Sequence, residues 1–153
     1  MANTLWLTNL GKKSLLTTAT HGATDFYMGL LCASGGTVPA AIDTEAEIQD
    51  SDTITQLLAF SGVVEATGGS YARQNLTSST VTEDDTNNRA NLDFANATFT
   101  AVPGTNNPCY GAFISRGTGV NGDTFIALAI FTTAVTPNGS DITVTISDWL
   151  RAS

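Results

Sequence analysis

The second half of the chain is a series of short apolar segments separated by turn sequences. Two of them, CYGAFISR at 109–116 and TFIALAIFTTAV at 124–135, have the length and the β-branched and aromatic content of strands. The segment 141–147 alternates isoleucine or valine with threonine, which is the period-two pattern of a strand with one buried face. About seven such segments, with turn signals roughly every 8 to 12 residues, predict an all-β fold that forms a β-sandwich or jelly-roll-like domain.

The first half of the chain adds a central strand and one short helix. DFYMGLLCAS at 25–34 is apolar on both faces, which predicts a central strand, and the segment 37–50 is predicted to be a loop that contains Pro39. A capping pair at 51–52 begins a short helix, which is the single helix that the sequence predicts. The apolar stripe of this helix is formed by Ile54, Leu57 and Leu58.

Between this helix and the second half, the sequence predicts a hairpin and a bulged strand. The acidic, turn-prone stretch at 83–88 has the composition of a hairpin tip. In RANLDFANATFTAV at 89–102, the apolar residues change phase at Ala95-Asn96. We therefore predict a β-bulge at that point within one continuous strand.

The first 24 residues have the clean periodicity of neither a helix nor a strand. Their apolar residues are interrupted by Gly11-Lys12-Lys13 and followed by the threonine-rich TTATHGAT. We predict an extended N-terminal arm at 1–24 that packs on another subunit, followed by a β-sandwich domain at 25–153. The alternative is that part of 1–24 forms an edge strand of the domain itself. An ordered arm would bury its apolar residues in an interface core. These predicted interface residues are Leu5, Trp6, Leu7 and Leu10.

The composition excludes several classes of partner. Charged residues make up 13% of the chain, and six basic against fourteen acidic residues give a formal net charge of −8. Proteins that bind nucleic acids neutralise phosphates with clustered Lys and Arg, whereas the lysines here occur only at Lys12 and Lys13. We therefore predict no nucleic-acid partner and no membrane partner. The sequence also lacks a stretch long enough to span a bilayer and the n-region and h-region of a signal peptide.

The two cysteines, Cys32 and Cys109, are too few for a disulfide framework. We predict buried free thiols that behave as small hydrophobic side chains. A bridge between them stays open, because the sequence does not fix the distance between their Cα atoms.

Residues with the chemistry of an active site are scarce. His21 is the only histidine, and no nucleophile or carboxylate stands at a recognisable spacing from it. The acidic residues at 43–50 and 83–85 fall in a predicted loop and a hairpin tip, without the nearby aromatic residues of a glycosidase cleft. The loop at 43–50 also has Ile48 where a calcium loop requires glycine. We therefore predict that the chain is not an enzyme and holds no cofactor and no metal.

One segment in the middle of the chain is more specific. Glu65-Ala-Thr-Gly68-Gly69-Ser-Tyr71-Ala-Arg73 resembles the E-x-x-G-x-G-Y-x-R element of a family of tailed-bacteriophage virion proteins that decorate or cement the capsid, with Ser70 in place of the family's second glycine. In physical terms, the glycines permit a tight turn with positive φ, and a tyrosine after them can pack over the turn with its hydroxyl bonded to the backbone. Arg73 is predicted to form a salt bridge with Glu65. The motif is therefore predicted to be structural.

The resemblance implies a function as well as a fold. It implies a capsid cement or decoration protein that binds the outer surface of the major capsid protein as a homo-oligomer, a trimer in preference to a dimer. Such a protein is made in the host cytoplasm and is located on the capsid surface of the virion. The apolar residues of the arm are then the predicted contacts with the capsid or a neighbouring subunit. The alternatives are a tail-associated or fibre-associated virion protein and a carbohydrate-binding module.

Overall fold

The computed structural model describes the backbone at 4–7, 26–77, 80–84, 89–145 and 150–152, and the side chains at 26–77 and 93–145. Within these ranges the chain has eleven strands and two short α-helices, so the prediction of an all-β fold is confirmed. The strands are β1 (Thr4–Leu7), β2 (Phe26–Cys32), β3 (Val64–Glu65), β4 (Gln74–Asn75), β5 (Thr80–Asp84), β6 (Arg89–Asp93), β7 (Ala97–Phe99), β8 (Cys109–Arg116), β9 (Thr124–Val135), β10 (Ile142–Val144) and β11 (Leu150–Ala152). The helices are α1 (Glu45–Ile48) and α2 (Ile54–Leu58).

The described strands form three antiparallel sheets. The main sheet has six strands in the order β1-β9-β8-β2-β3, and β4 pairs with β2 beside β3. A second sheet consists of β7 and β10, and a third consists of β11, β6 and β5 in that order. The predicted hairpin is present, because β5 pairs with β6 from Thr80–Asp93 to Asp84–Arg89. Residues 85–88 at its predicted tip lie outside the described residues.

The centre of the main sheet is buried on both faces, as the apolar sequences of its strands predict. One face packs against a cluster to which β7 and β10 also contribute. The opposite face packs against the segment that carries α1 and α2. The first cluster includes Phe26, Met28, Leu30, Ala112, Ile114, Ala97, Phe99, Ile142 and Val144. The second includes Leu31, Ile42, Ile48, Ile54, Leu57, Tyr110, Phe113, Phe125 and Leu128.

The predicted helix is present as α2, but its cap differs from the prediction. The N-cap is Thr53, whose hydroxyl accepts a hydrogen bond from the backbone N–H of Gln56 at 3.3 Å. The side chain of Gln56 accepts in return from the N–H of Thr53 at 3.1 Å. This reciprocal capping box satisfies two N–H groups that the first turn leaves unpaired, so the helix begins later than the predicted cap at 51–52.

The segment 37–50 is not a plain loop, so this prediction is wrong. It contains a 3₁₀ turn at Ala40–Ile42 and the helix α1. Thr44 and Glu47 form a second capping box at the start of α1. A helix of four residues is too short to produce a recognisable apolar stripe, which is why the periodicity of the sequence does not reveal it.

The predicted bulge at Ala95-Asn96 is also wrong. These residues separate β6 from β7, and the two strands belong to different sheets. The phase change in the sequence therefore marks a change of sheet, whereas a bulge would keep one ladder continuous. The cleanest alternating segment, at 141–147, supplies β10, whose Ile142 and Val144 are buried; residues 146–149 lie outside the described residues.

The cysteines are buried as predicted, but the prediction of free thiols is wrong. Cys32 and Cys109 form a disulfide. They are register partners in the pairing of β2 with β8, which places their side chains next to each other on neighbouring strands. The residues are 77 positions apart in the sequence, so only the topology of the sheet brings them together.

Part of the predicted N-terminal arm lies in the main sheet of this chain. Strand β1 pairs with β9 and is the outermost strand on that side. This placement matches the alternative of an edge strand for residues 4–7. Leu10 and His21 lie outside the described residues, and of Leu5, Trp6 and Leu7 only the backbone is described. No helix among the described residues is both long and apolar enough to cross a membrane.

We predict that the disulfide contributes about 2–4 kcal/mol to the free energy of unfolding, because it closes a long loop in the unfolded chain. Urea unfolding of the oxidised and the reduced protein measures this contribution, since both forms keep the same two sulfur atoms in the core. The variant C32A/C109A should unfold at a urea concentration no higher than that of the reduced protein. Equal midpoints for the oxidised and reduced forms would contradict the prediction.

Candidate functional site

The candidate site is the Glu65–Arg73 segment, which lies along the outer edge of β2. At its two ends this segment pairs with β2 as a strand: β3 pairs with Leu31 and Cys32, and β4 pairs with Tyr27 and Met28. Between these short pairings the chain leaves the sheet to form the Gly68-Gly69 turn. The middle of β2 therefore faces a gap in the hydrogen-bond ladder at Gly29 and Leu30.

The side chain of Tyr71 fills this gap. The carbonyl of Leu30 accepts from the N–H of Ala66 at 3.0 Å, but the N–H of Leu30 has no backbone partner on this side. It donates instead to the hydroxyl of Tyr71 at 3.0 Å. The hydroxyl in turn donates to Oε1 of Glu65 at 2.9 Å. A buried backbone N–H without a partner lowers the stability of the fold. The Tyr71 hydroxyl therefore provides the hydrogen bond that a neighbouring strand would provide elsewhere in the sheet.

Arg73 holds the carboxylate of Glu65 from the other side. Its Nε donates to Oε1 at 2.8 Å, and its Nη2 donates to Oε2 at 2.6 Å. This is the two-point geometry in which a guanidinium binds a carboxylate most strongly. The side chains of Arg73 and Glu65 are only 10% and 14% exposed, so solvent screens the pair weakly. The predicted salt bridge is therefore present.

The turn itself has the predicted backbone. Gly68 and Gly69 have φ angles of 82° and 59°, a region that favours glycine. The side chain of Asn106 pins the turn, because it accepts from the N–H of Thr67 and donates to the carbonyl of Thr67, both at 2.9 Å. A Cβ atom on Gly69 would lie 2.8 Å from the ring of Pro103, so the close approach of the loop at 103–108 also requires glycine here.

Arg73 also reaches the loop between β8 and β9. Its Nη1 donates to the carbonyl of Gly119 at 3.1 Å, and its Nη2 donates to the side-chain oxygen of Asn121. The guanidinium lies over the ring of Phe113, 5.0 Å from the centroid, which is a cation–π arrangement. The Glu65–Arg73 segment thus connects one edge of the main sheet to the loop at 117–123.

That loop is closed by a buried carboxylate. Asp123 accepts hydrogen bonds from the N–H groups of Thr118, Gly119 and Val120 at 3.0, 2.6 and 3.0 Å. The carbonyl of Asn121 accepts from the N–H of Thr55 at 2.8 Å, which joins the loop to the first turn of α2. The loop at 117–123 is therefore stabilised by hydrogen bonds to its own Asp123, to Arg73 and to the first turn of α2.

The electrostatics of the cluster keep Tyr71 and Arg73 protonated. Burial, with a further contribution from the charge on Glu65, raises the pKa of the Tyr71 phenol far above its ordinary value. The hydrogen bond to Glu65 raises the pKa of the Arg73 guanidinium. Tyr71 therefore keeps the proton that it donates to Glu65. A phenol that keeps its proton is a poor nucleophile and a poor general base.

The acidic residues at 43–50 have a different role. The carboxylate of Glu47 accepts from the N–H of Thr44 at 2.9 Å as part of the α1 capping box, and this hydrogen bond lowers the pKa of Glu47. A hydrogen bond with Glu47 raises the pKa of the neighbouring Asp43. Among the described residues, no group of three or more His, Cys, Asp or Glu side chains is arranged to hold a metal ion.

The residues named from the sequence thus fall into two sets. Glu65, Gly68, Gly69, Tyr71 and Arg73 lie together in one network, while Leu5, Trp6 and Leu7 lie at the opposite edge of the main sheet. No sequence pattern indicated Leu30, Gly119 or Asn121 as partners, because these contacts are made across 41, 46 and 48 positions of sequence.

Comparison of the chain with family models, curated proteins and solved structures found no match in any of the three. The resemblance of the Glu65–Arg73 element to phage virion proteins therefore stays a prediction from the sequence, and the function has to be argued from the geometry.

We predict that Y71F lowers the free energy of unfolding by about 1–3 kcal/mol, because the buried N–H of Leu30 then has no partner. The matched control is Y110F. The hydroxyl of Tyr110 is also buried, yet it has no hydrogen-bond partner among the described residues, so its removal should cost little or nothing. Urea unfolding of both variants tests this difference. Equal effects of Y71F and Y110F would contradict the proposed role of the Tyr71 hydroxyl.

Gly29 gives a second test of the same cluster. A Cβ atom at this position would lie within van der Waals overlap of the Phe113 ring and 2.9 Å from Oε1 of Glu65. We expect G29A to destabilise the protein by about 1–3 kcal/mol through overpacking. In the control G122A the new Cβ atom meets nothing within 4 Å, so the melting temperature should stay near that of the wild type. A G29A protein as stable as G122A would show that the cluster can relax around a methyl group.

Proposed function

We propose that the chain is a structural protein of a tailed-bacteriophage virion, a cement or decoration protein on the capsid. In this role it binds the outer surface of the major capsid protein as a symmetric oligomer and stabilises the shell through contacts that the symmetry repeats. The first residues of the chain, with Leu5, Trp6, Leu7 and Leu10, form its contacts with the capsid or with a neighbouring subunit.

The observation that carries this proposal is that the polar groups of the phage-like Glu65–Arg73 element form their hydrogen bonds within the chain. The hydroxyl of Tyr71, the carboxylate of Glu65 and the guanidinium of Arg73 bond to one another, to the backbone of β2 and to the loop at 117–123. Groups that bind a substrate are commonly left with free hydrogen-bonding capacity in a cleft. Here the same groups stabilise the edge of a sheet, which favours a structural protein over an enzyme.

The charge and the strand order support a surface-binding role. A net charge of −8 opposes contact with nucleic acid inside a capsid and suits a position on the outer surface of the shell. Strand β1, with the sequence Thr-Leu-Trp-Leu, is the outermost described strand of the main sheet on the β9 side. An outer strand presents backbone groups and side chains to a partner more readily than a central strand does.

We further propose that the second sheet and the main sheet form the two layers of a β-sandwich. In support, Ala97 and Phe99 of β7 and Ile142 and Val144 of β10 share one buried cluster with side chains of β2, β8 and β9. Side chains from two sheets that meet in one core are the defining feature of such a sandwich. The rings of Tyr71 and Phe99, 5.7 Å apart and nearly parallel, extend this contact to the Glu65–Arg73 segment.

The location of the protein on virions tests the proposed function directly. Labelled protein is added to tailed-phage particles that were assembled in its absence. The bound label is then located by cryo-electron microscopy. We expect saturable binding at symmetry-related positions on the outside of the shell. Density on the tail or fibres would support the tail-associated alternative. An absence of binding to any particle, with binding on a glycan array, would replace the proposal by the carbohydrate-binding alternative.

We predict that W6A weakens binding to these particles by roughly 30-fold, since truncation of a tryptophan at the centre of an interface costs about 2 kcal/mol or more. The control is V120A, which truncates an apolar side chain that is 54% exposed on the loop at 117–123. Circular dichroism and urea unfolding check that both variants fold. Unchanged affinity of a folded W6A protein would exclude Trp6 from the interface.

A further inference from the structure

Strands β1 and β2 are consecutive in the described chain, but β9 and β8 lie between them in the main sheet. Pairing is antiparallel from β1 to β9, from β9 to β8 and from β8 to β2, so β1 and β2 run in opposite directions. Leu7 is level with Met28 across the sheet, because Leu7 pairs with Ala127, Ala127 with Ile114, and Ile114 with Met28. The end of β1 and the start of β2 therefore lie at the same end of the sheet.

The chain between these two points is much longer than the distance requires. Three strand spacings separate β1 from β2, which is about 14 Å across the sheet, and Phe26 lies two residues beyond the level of Leu7. About five or six extended residues would span this distance. The sequence has 18 residues between Leu7 and Phe26, and such a length reaches at most about 60 Å. The length of the connection therefore does not require β1 to pair within its own chain.

We propose that β1 is exchanged between subunits, so that Thr4–Leu7 of one copy completes the β9 edge of a second copy. This inference deepens the proposed function and rests on the symmetric oligomer that it includes. Exchange of an identical element keeps every contact of the β1–β9 pairing, so the exchanged and unexchanged forms differ only in the connection and in the cost of association. Each exchanged strand then joins two subunits.

The edge of β9 needs a strand as its partner, and the described part of β1 forms few pairs with it. On the side away from β8, the described strand that pairs with Ala127, Leu128, Ala129 and Ile130 is β1. An apolar edge without a partner is prone to uncontrolled association, so some strand must occupy it. Yet the described residues of β1 form four register pairs with β9. Short elements with few contacts open at low free-energy cost, which makes a four-residue strand easy to exchange.

The charge distribution favours a connection that passes between two molecules. Both lysines of the chain, Lys12 and Lys13, lie between β1 and β2, whereas thirteen of the fourteen acidic residues follow residue 25. Two acidic bodies repel each other when they approach. A connection that carries two positive charges lowers this repulsion when it lies between the two bodies.

The experiment uses two singly substituted proteins, L5C and A129C, which carry different affinity tags and are expressed together. Leu5 and Ala129 are register partners, and neither protein can form this cross-link within its own chain. We expect a covalent heterodimer after mild oxidation, with a bond between positions 5 and 129 identified by peptide mapping. The control pair is L5C with V120C, because Val120 is exposed and lies outside the β9 residues that pair with β1; it should give no such dimer.

The double variant L5C/A129C and the mass of the wild-type protein complete the test. If β1 is exchanged, the double variant forms covalent oligomers, and light scattering of the wild type gives an oligomer. A double variant that cross-links only within single chains, or a wild-type protein that is monomeric, would overturn the proposal. These measurements need no capsid. A failure of strand exchange is therefore distinguishable from a failure of the proposed function, which is measured by binding to particles.

Discussion

The hydrogen bond from the N–H of Leu30 to the hydroxyl of Tyr71 is the interaction on which the edge of this fold depends. Strand β2 lies at the centre of the core, and its middle has no strand beside it on the side away from β8. A buried backbone N–H needs a hydrogen-bond partner, and here the hydroxyl of a side chain provides it. Tyrosine is suited to this because its ring fills apolar space next to Phe99 while its hydroxyl reaches the backbone.

This single contact determines where several distant segments lie. The Tyr71 hydroxyl accepts from Leu30 and is oriented by Glu65, Glu65 is held by Arg73, and Arg73 binds the carbonyl of Gly119. The loop that contains Gly119 in turn bonds to the first turn of α2. Each partner satisfies a charge or a donor that would otherwise be buried alone. Partly satisfied networks of this kind are costly, so the elements that it joins are expected to form together.

How much of this the sequence could predict follows from the range of each interaction. The strands at 109–116 and 124–135, the helix at 54–58 and the positive φ angles at Gly68-Gly69 depend on local patterns, and the structure contains all of them. The Arg73–Glu65 ion pair spans eight positions of sequence, and it was also predicted from the sequence. The disulfide, the change of sheet at Ala95-Asn96 and the contact with Gly119 depend on the order of the strands, which no local pattern determines.

The two sides of the main sheet solve the problem of an exposed edge in opposite ways. On the side of β2, the chain closes the edge with its own polar side chains, and a tight turn and an ion pair fix the closure. On the side of β9, the edge pairs with the four described residues of β1, which 18 residues of sequence separate from β2. An edge whose backbone groups are bonded to side chains of the same chain offers fewer groups to a partner than an edge covered by a short strand. Assembly with other molecules, as proposed above, is therefore expected on the β9 side rather than on the β2 side, where the polar groups of the Glu65–Arg73 segment are bonded within the chain.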